Sequence, residues 1–531
     1  MAFSLLPELL ISTLALLAAR LYIKYWRSRN PWRPLDWPVL GVLPSLAGRL
    51  QNFNDQIADV LAAHGGNLKA EGPAATGLRF FVTADPANVR HIFTAKHGNY
   101  PKGEEFAEIF DVVAGSIFTA DGEPGRRHRA MFQSVLTHPR VLDLMAAACR
   151  DKVMSGVLPF MARAASAGAA FDVQDLVTRL VFDLTAAPIF GVDPGRLPAA
   201  AAGGGVPSMR VAGAMDTVME VGLLRHIIPA SCWKAMRRLK IGPERRLAAA
   251  HAELHAFVKD MMEERRARRG GGAAAADEVV AVDILCADPQ YGDEFLLRKT
   301  LINYMIAGRD TVGTALPWVF YNLAMNPRAV AAIRRELAPV ASRRAGAGAA
   351  VPDDAGAADS MLFFEPEETK DLVYLHAALF ESLRLHPPGP FERKVALADD
   401  VLPSGHPVRA GETVLISIYA MGRMESVWGK DCYDYRPERW LSDDGGGGGG
   451  GKKLRYVPSH KFTAFNSGPR MCLGKDIAVT QMKAVVAAVL WNFDVEMVEG
   501  QRVEPKLSCI LQMKNGLMVT VNKRKEGCNV V

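Results

Sequence analysis

The sequence predicts one large, mainly α-helical domain with a few small β-sheets, set behind an apolar amino-terminal segment. Three observations carry that expectation. Of the 531 residues, 49% are hydrophobic, enough for a sizeable core and too apolar for a disordered chain. Beyond residue 50, apolar residues recur at helical spacing, as at Val141, Leu144 and Met145, along Glu244–Arg268, and through a long run from about Leu296 to Met325. Strand-like runs are few and short: Leu78–Val82, Thr413–Ile418 and Gly516–Val521. At roughly 100–200 residues per domain the length allows three units, and one large domain fits equally well.

The first 23 residues are apolar apart from Glu8 and Arg20, close to the ~20 residues that span a bilayer. Positive charges follow this run, at Lys24, Arg27, Arg29 and Arg33, and none precedes it. That order suits a retained anchor better than a cleaved signal, and the positive-inside rule leaves the remainder in the cytoplasm. Residues 1–23 are thus expected to be a transmembrane signal anchor, 24–49 a basic, proline-rich hinge, and 50–531 the catalytic domain. Pro31, Pro34, Pro38 and Pro44 would keep the anchor helix from continuing. The region Val221–Trp233 reads either as a packed helix pair or as a segment that dips into lipid.

Other classes are excluded by composition. A net charge of +6 over this length, with no long basic cluster, argues against a nucleic-acid partner. Seven cysteines, at 149, 232, 286, 432, 472, 509 and 528, form no CxxC pair, so neither a disulfide scaffold nor a zinc ribbon is expected. Low-complexity breaks at Gly270–Ala276, Arg343–Ala358 and Gly445–Gly451 read as lengthened surface loops, which cost a fold little.

The chemistry concentrates late in the chain. The run Phe465-Asn466-Ser467-Gly468-Pro469-Arg470-Met471-Cys472-Leu473-Gly474 sets one cysteine among glycines, an arginine and an aromatic. Gly468 and Gly474 allow a backbone curl that turns N–H groups toward the sulfur. A thiolate held that way can ligate a flat iron cofactor, with Phe465 packed beside it and Arg470 free to meet a carboxylate. The bland alternative is a buried structural cysteine in a glycine-rich turn. Three further segments accompany it. Ala307-Gly308-Arg309-Asp310-Thr311 lies inside the long helical run and offers small residues beside an acid and a hydroxyl, the parts of a proton relay. Glu381 and Arg384 share a helix face three residues apart, and Pro437-Glu438-Arg439-Trp440 follows later. Arginines stand at 129, 393 and 470.

In this order and spacing the segments resemble the cytochrome P-450 superfamily, and the resemblance spans nearly the whole chain. It implies the P-450 fold, a heme-thiolate monooxygenase, and heme b with Cys472 as axial ligand of the iron. It also implies heme contacts from Arg470, Phe465, Gly468, Gly474, Arg129 and Arg393. The segment Ala307, Gly308, Asp310 and Thr311 would be the oxygen-activating helix: Thr311 hydrogen-bonds bound oxygen or its ordered water, and Asp310 helps deliver protons. Glu381, Arg384 and Arg439 would form a buried scaffold. Electrons would come from NADPH through the flavins of a separate reductase, docked on the basic Arg126–Arg129 and Lys475 face, with cytochrome b5 as a second donor. The resemblance implies a single-pass endoplasmic reticulum protein. One departure stands out: the family usually has Trp four residues before Arg129, where this chain has Gly125 after Pro124.

More narrowly, Asn99-Tyr100-Pro101-Lys102-Gly103, Phe118-Thr119-Ala120-Asp121-Gly122-Glu123, Phe391-Glu392-Arg393-Lys394 and Leu402-Pro403-Ser404-Gly405-His406 are similar to the plant clan that hydroxylates fatty acids and alkanes. Within that clan the likeness is to the midchain alkane hydroxylases of cuticular wax. It implies long aliphatic substrates held by Phe106, Phe110, Phe118, Phe391 and Leu511, with Lys102 or Arg79 as candidate cations for a carboxylate. Two other outcomes fit the same scaffold: a lipid-hydroperoxide isomerase or lyase, and an inactive heme-binding lipid carrier.

Overall fold

A computed structural model of the chain describes residues 5–27, 36–37, 40–42, 44–45, 52–73, 76–197, 208–270, 279–346, 361–442 and 452–524. Most of the three low-complexity breaks, and residues 28–35 of the expected hinge, lie outside these. The chain divides into two compact units, Met1–Pro101 with Phe391–Gly429, and Lys102–Pro390 with Lys430–Val531. The span 50–531 expected as one domain is shared between them.

The first unit carries helix α1, Leu5–Arg27, and α2, Phe53–Ala63. Along α1 the side chains of Ile11, Leu14, Leu16, Leu17, Leu21 and Ile23 are exposed. No described helix is long and apolar enough to cross a membrane. The body of this unit is a four-stranded sheet in the order Asn67–Glu71, Arg79–Thr83, Thr413–Ser417, Phe391–Val395. Its central pair, Arg79–Thr83 with Thr413–Ser417, is parallel and the outer pairs are antiparallel. Parallel strands need a long crossover, and here Lys102–Pro390 of the second unit intervenes between them in sequence.

The second unit is helical. Its main elements are α3 (Gly122–Leu136), α4 (Val173–Phe190), α5 (Arg210–Ile227), α6 (Gly242–Gly270), α7 (Glu294–Ala324), α8 (Val373–Leu385) and α9 (Lys475–Asn492). A three-stranded sheet of Phe493–Met497, Met518–Lys523 and Phe171–Asp172 accompanies them. Helix α7 packs most extensively on α4, and α5 on α6. Buried residues of α3 to α7, among them Phe132, Phe182, Met215, Leu254 and Leu301, form one apolar cluster. The strand expected at Gly516–Val521 begins two residues later, because Gly516 takes a left-handed φ of 71° in the preceding turn.

The region Val221–Trp233 folds as the end of α5 and the start of a helix over Ala230–Leu239. Trp233 is buried beneath the Arg225 guanidinium, 4.7 Å from its ring, and Arg225 is bidentate to Glu244 at 2.7 and 2.6 Å. These contacts are those of a packed helix pair.

On α8, Glu381 and Arg384 are fully buried and joined by two hydrogen bonds of 2.8 and 2.7 Å. Glu381 also accepts from the Arg439 Nε at 3.3 Å, the Trp440 indole at 2.8 Å and the Arg436 amide at 2.9 Å. Arg384 donates to the carbonyls of Cys432 and Asp434 at 2.6 and 3.0 Å. One carboxylate thus ties α8 to the segment 432–440, and its charge offsets two guanidinium groups. Neutralising it leaves those charges uncompensated, at a cost of about 3–5 kcal/mol. Glu381→Gln should lower the denaturation free energy by that amount in a urea titration; a loss below about 1 kcal/mol, the value of an exposed pair, would sink this account.

Candidate active site

The cysteine loop is closed by its own backbone. The Cys472 amide donates to the Phe465 carbonyl at 2.8 Å, and Met471 N–H to that of Gly468 at 3.0 Å. Asn466 and Gly468 both hold positive φ, 64° and 62°, so the curl expected from the glycines begins two residues earlier, at an asparagine. Gly474 has an ordinary backbone, and a Cβ there would meet nothing within 4 Å. What Gly474 provides is its N–H, which bonds the Cys472 sulfur. Phe465 is half-buried, 5.9 Å from the ring of Phe380.

Cys472 keeps an exposed side chain although protein surrounds it on its other sides. This enclosure pushes its thiol pKa up, while the Gly474 amide, Arg129 and Lys475 pull it back. A structural cysteine of the bland kind would be closed off on every side. Arg129, on α3, donates to the Met471 carbonyl at 2.8 Å beside it. Burial and the nearby Arg470 both depress the Arg129 pKa. Two guanidinium groups held together next to an accessible thiol form an anion-seeking, metal-ready corner.

Gly125 explains how Arg470 is held. Its amide bonds the Asp121 carbonyl, and an ideal Cβ at this position would lie 2.5 Å from the Ala120 carbonyl oxygen and 3.4 Å from Arg470 Nη1. The same Ala120 oxygen accepts from Arg470 Nη1 at 3.0 Å. The space that a side chain at 125 would need is therefore filled by backbone and by Arg470. Pro124 does not move the helix start past Gly125: α3 begins at Gly122, and Pro124 sits in the first turn, where N–H groups have no helical acceptor.

Helix α7 brings the other expected group. Its residues from 297 to 323 are mostly buried, yet Ala307 and Thr311, one turn apart on one face, are exposed. The pair is a window in an otherwise buried helix. The Thr311 hydroxyl donates to the Ala307 carbonyl at 2.7 Å. Gly308 faces elsewhere: a Cβ on it would lie 2.6 Å from Thr185 Cγ2 of α4, so its smallness serves helix packing. Asp310 is also turned from the window. It is 1% exposed and bonded through Oδ1 to Arg309 Nη1 at 2.7 Å, while its Oδ2 is buried with no partner among the described residues. Burial pushes the Asp310 carboxyl pKa up to about 6, with Arg309 opposing and Asp216 adding to the rise.

The remaining residues are distributed as follows. Phe106 and Phe110 are buried and Phe118 half-buried, with ring centroids 4.9 to 5.2 Å apart. The Lys102 ammonium lies 4.0 Å from the Phe118 ring centre and 4.6 Å from that of Phe106. Leu511 is fully buried, with its carbonyl accepting from the Trp318 indole at 2.6 Å. Phe391 and Arg393 belong to the other unit; Arg393 is buried and donates to Thr413 Oγ1 at 3.1 Å. Arg126 and Arg127 are exposed and pair with Glu123. Sequence reasoning gave no part to Asp216, which meets Arg309 only in the fold, or to Gln512, which donates to Asp216 there. No spacing or motif links them.

An accessible thiol under two arginines, together with a window on a buried helix, is a donor set that fits a heme. The chain matches the family described as Cytochrome P450 over residues 34–521. It belongs to the cytochrome P450 family. Among its relatives, a noroxomaritidine synthase of Narcissus aff. pseudonarcissus MK-2014 is 35% identical over 518 residues, covering 98% of this chain and 96% of the relative. Cytochrome P450 86B1 of Arabidopsis thaliana is 36% identical over 498 residues, covering 92% and 85%. Alkane hydroxylase MAH1 of Arabidopsis thaliana is 35% identical over 498 residues, covering 92% and 93%. The protein is thus a P450 monooxygenase, an oxidoreductase of the heme-iron class that takes a small-molecule substrate and a redox partner.

The packing at Gly125 is testable by its sign. Alanine is favoured over glycine in a helix by up to ~1 kcal/mol, whereas overpacking against fixed backbone costs about 1–3 kcal/mol. Gly125→Ala should therefore lower the thermal midpoint; a raised midpoint would show that the close contact is harmless.

Proposed function

We propose that this P450 hydroxylates long-chain aliphatic substrates, alkanes, fatty acids or fatty alcohols, with O2 and electrons delivered from NADPH by a flavoprotein reductase. The observation that carries the reading is the exposed Cys472 thiol set beside Arg129 and Arg470. Heme held there would supply activation of O2 and insertion of one oxygen atom into a C–H bond. The chain's own residues do the rest. Cys472 would ligate the iron through its thiolate, with the Gly474 amide steadying that charge. Arg129 and Arg470 would neutralise the propionates, Phe465 would pack beside the ring system, and Gly468 shapes the loop. Thr311 holds a proton at Oγ1 in the window, beside Ala307. Asp310 holds one at Oδ2 and takes it up from the protein side, while Gly308 lets α4 approach. Glu381, Arg384 and Arg439 keep α8 in place behind the loop.

The substrate class draws support from the likeness to an alkane hydroxylase and from the apolar character of Phe106, Phe110, Phe118 and Leu511. Each methylene removed from water on such residues contributes roughly 0.8 kcal/mol. Lys102, between two of those rings, suits a carboxylate-bearing chain. The noroxomaritidine synthases are about as similar in sequence as the hydroxylases, so non-aliphatic small molecules belong in the panel beside the aliphatic ones. The exposed leucines and isoleucines of α1 support attachment to a bilayer, as a single-pass anchor of the endoplasmic reticulum with the catalytic units cytoplasmic. There the reductase, and cytochrome b5, would dock on the basic face of Arg126, Arg127 and Lys475.

The deciding experiment is the reduced, carbon-monoxide-bound spectrum of membranes carrying the full chain. A strongly red-shifted Soret band, absent in Cys472→Ser, is expected, and deleting residues 1–23 should release the protein to the supernatant with the band intact. A spectrum of histidine-ligated heme would overturn the ligand assignment. With reductase, NADPH consumption and hydroxylated product are expected from the aliphatic panel; turnover of a lipid hydroperoxide without NADPH would favour an isomerase or lyase, and no turnover at all a carrier.

The proton role of Thr311 has its own test. Proton transfer by a positioned group contributes about 10²–10⁴-fold. Thr311→Ala should cut product formed per NADPH at least about tenfold while NADPH oxidation continues; unchanged coupling would remove the hydroxyl from the relay.

A further inference from the structure

Three segments remote in sequence meet around one guanidinium in the second unit. Arg309 is 2% exposed, and its Nη1 donates both to Asp310 Oδ1 at 2.7 Å and to Asp216 Oδ1 at 2.6 Å. Asp216 belongs to α5, and its same oxygen accepts from Gln512 Nε2 of the C-terminal loop at 2.9 Å. A single N–H-bearing nitrogen is therefore shared between two carboxylates, while the other oxygen of Asp310 is buried with no partner among the described residues. The Thr314 hydroxyl, one turn further along α7, is likewise buried without a partner among them. Buried polar atoms left unpaired cost about 1–3 kcal/mol each, so their persistence together needs an explanation in function or in a mobile proton.

We propose that Asp216 is a positioning residue for the Asp310 carboxyl: through Arg309 it fixes which oxygen of Asp310 is engaged and how tightly that carboxyl keeps its proton. The inference rests on the reading of Asp310 as a proton-handling group. Among the described residues the charges that act on Asp310 are Arg309, on its own helix, and Asp216 on α5. Helix α4 turns only the uncharged Thr185 toward the neighbouring Gly308, the C-terminal loop brings the neutral Gln512, and α6, α8 and α9 add no charge that acts on it.

The direction follows from electrostatics. Burial disfavours the ionised carboxyl, Arg309 favours it, and Asp216 disfavours it twice, by repulsion and by taking half of the Arg309 donor. The balance leaves Asp310 titrating at about 6, within reach of neutral pH, where a carboxyl can both take and give a proton. Without the Asp216 charge, Arg309 turns wholly to Asp310, which then releases its proton at lower pH and stays ionised at neutrality. Removing Gln512 does the reverse: Asp216 loses a donor, draws Arg309 harder, and the proton affinity of Asp310 rises. Because α5 and the Ile510–Gln512 loop carry these two partners, movement of either element changes proton supply without touching α7.

The test is the pH titration of the protonated-carboxyl infrared band that Asp310→Asn removes, recorded on the purified full chain. Asp216→Asn should move its midpoint down by about one pH unit, a tenfold weaker proton affinity, with Asp216→Glu restoring it. Gln512→Leu should move the midpoint up, and it answers the question if Asp216→Asn does not fold. The alkaline limb of product formed per NADPH should shift with the band. A midpoint that stays within about 0.2 pH units of wild type in both variants would overturn the inference. Normal coupling in Asp310→Asn, with the band still moved by Asp216→Asn, would instead overturn the relay and leave the positioning role standing.

Discussion

Helix α7 must be buried along nearly its whole 31-residue length, and the second unit is arranged around that constraint. A helix apolar on every side belongs in a core, and this one also carries Arg309 and Asp310 into it. Those charges are tolerable only because each meets another: burial lowers the Arg309 pKa, and the two carboxylates more than reverse the effect. Close approach of α4 requires Gly308, since any side chain there would collide with Thr185. With its other faces closed, the helix is left open at Ala307 and Thr311.

The cysteine loop obeys a complementary rule. Its backbone is satisfied internally, so the thiol is presented without being spent on the fold. Arg129 and Arg470 reach the loop from α3 and from the loop itself, each anchored by a carbonyl oxygen, which leaves donor capacity on both guanidinium groups. The glycine at 125 is part of this economy of space. Where the family commonly has a tryptophan, this chain lets Arg470 lie against the Ala120 carbonyl, so one donor is lost and the other is more firmly seated.

Two buried ion clusters, at Glu381 and at Arg225, sit away from the thiol and the window. Both join segments distant in sequence, and in both the carboxylate is bidentate to arginine, the geometry that best offsets desolvation. Their role is register. Cluster by cluster they fix α8 against 432–440, and α5 against α6 and the loop at 109–111, so that the apolar contacts between helices have one arrangement.

Local signals in the sequence determined much of this protein. Periodicity gave α6 and α7 to within two residues at each end, since these helices carry long runs of apolar residues at helical spacing. The spacing around Cys472 identified the thiol, because a loop that curls on itself encodes its geometry in consecutive residues. Tertiary structure alone decided what lies between segments. It brought Asp216 to Arg309 and Gln512 to Asp216, assigned Gly308 to packing, turned Asp310 away from Thr311, and paired two strands more than 300 residues apart in one unit. The reason is physical: a hydrogen bond between residues 216 and 309, or 216 and 512, leaves no periodic or compositional trace, and only the burial of the charged group selects its partners.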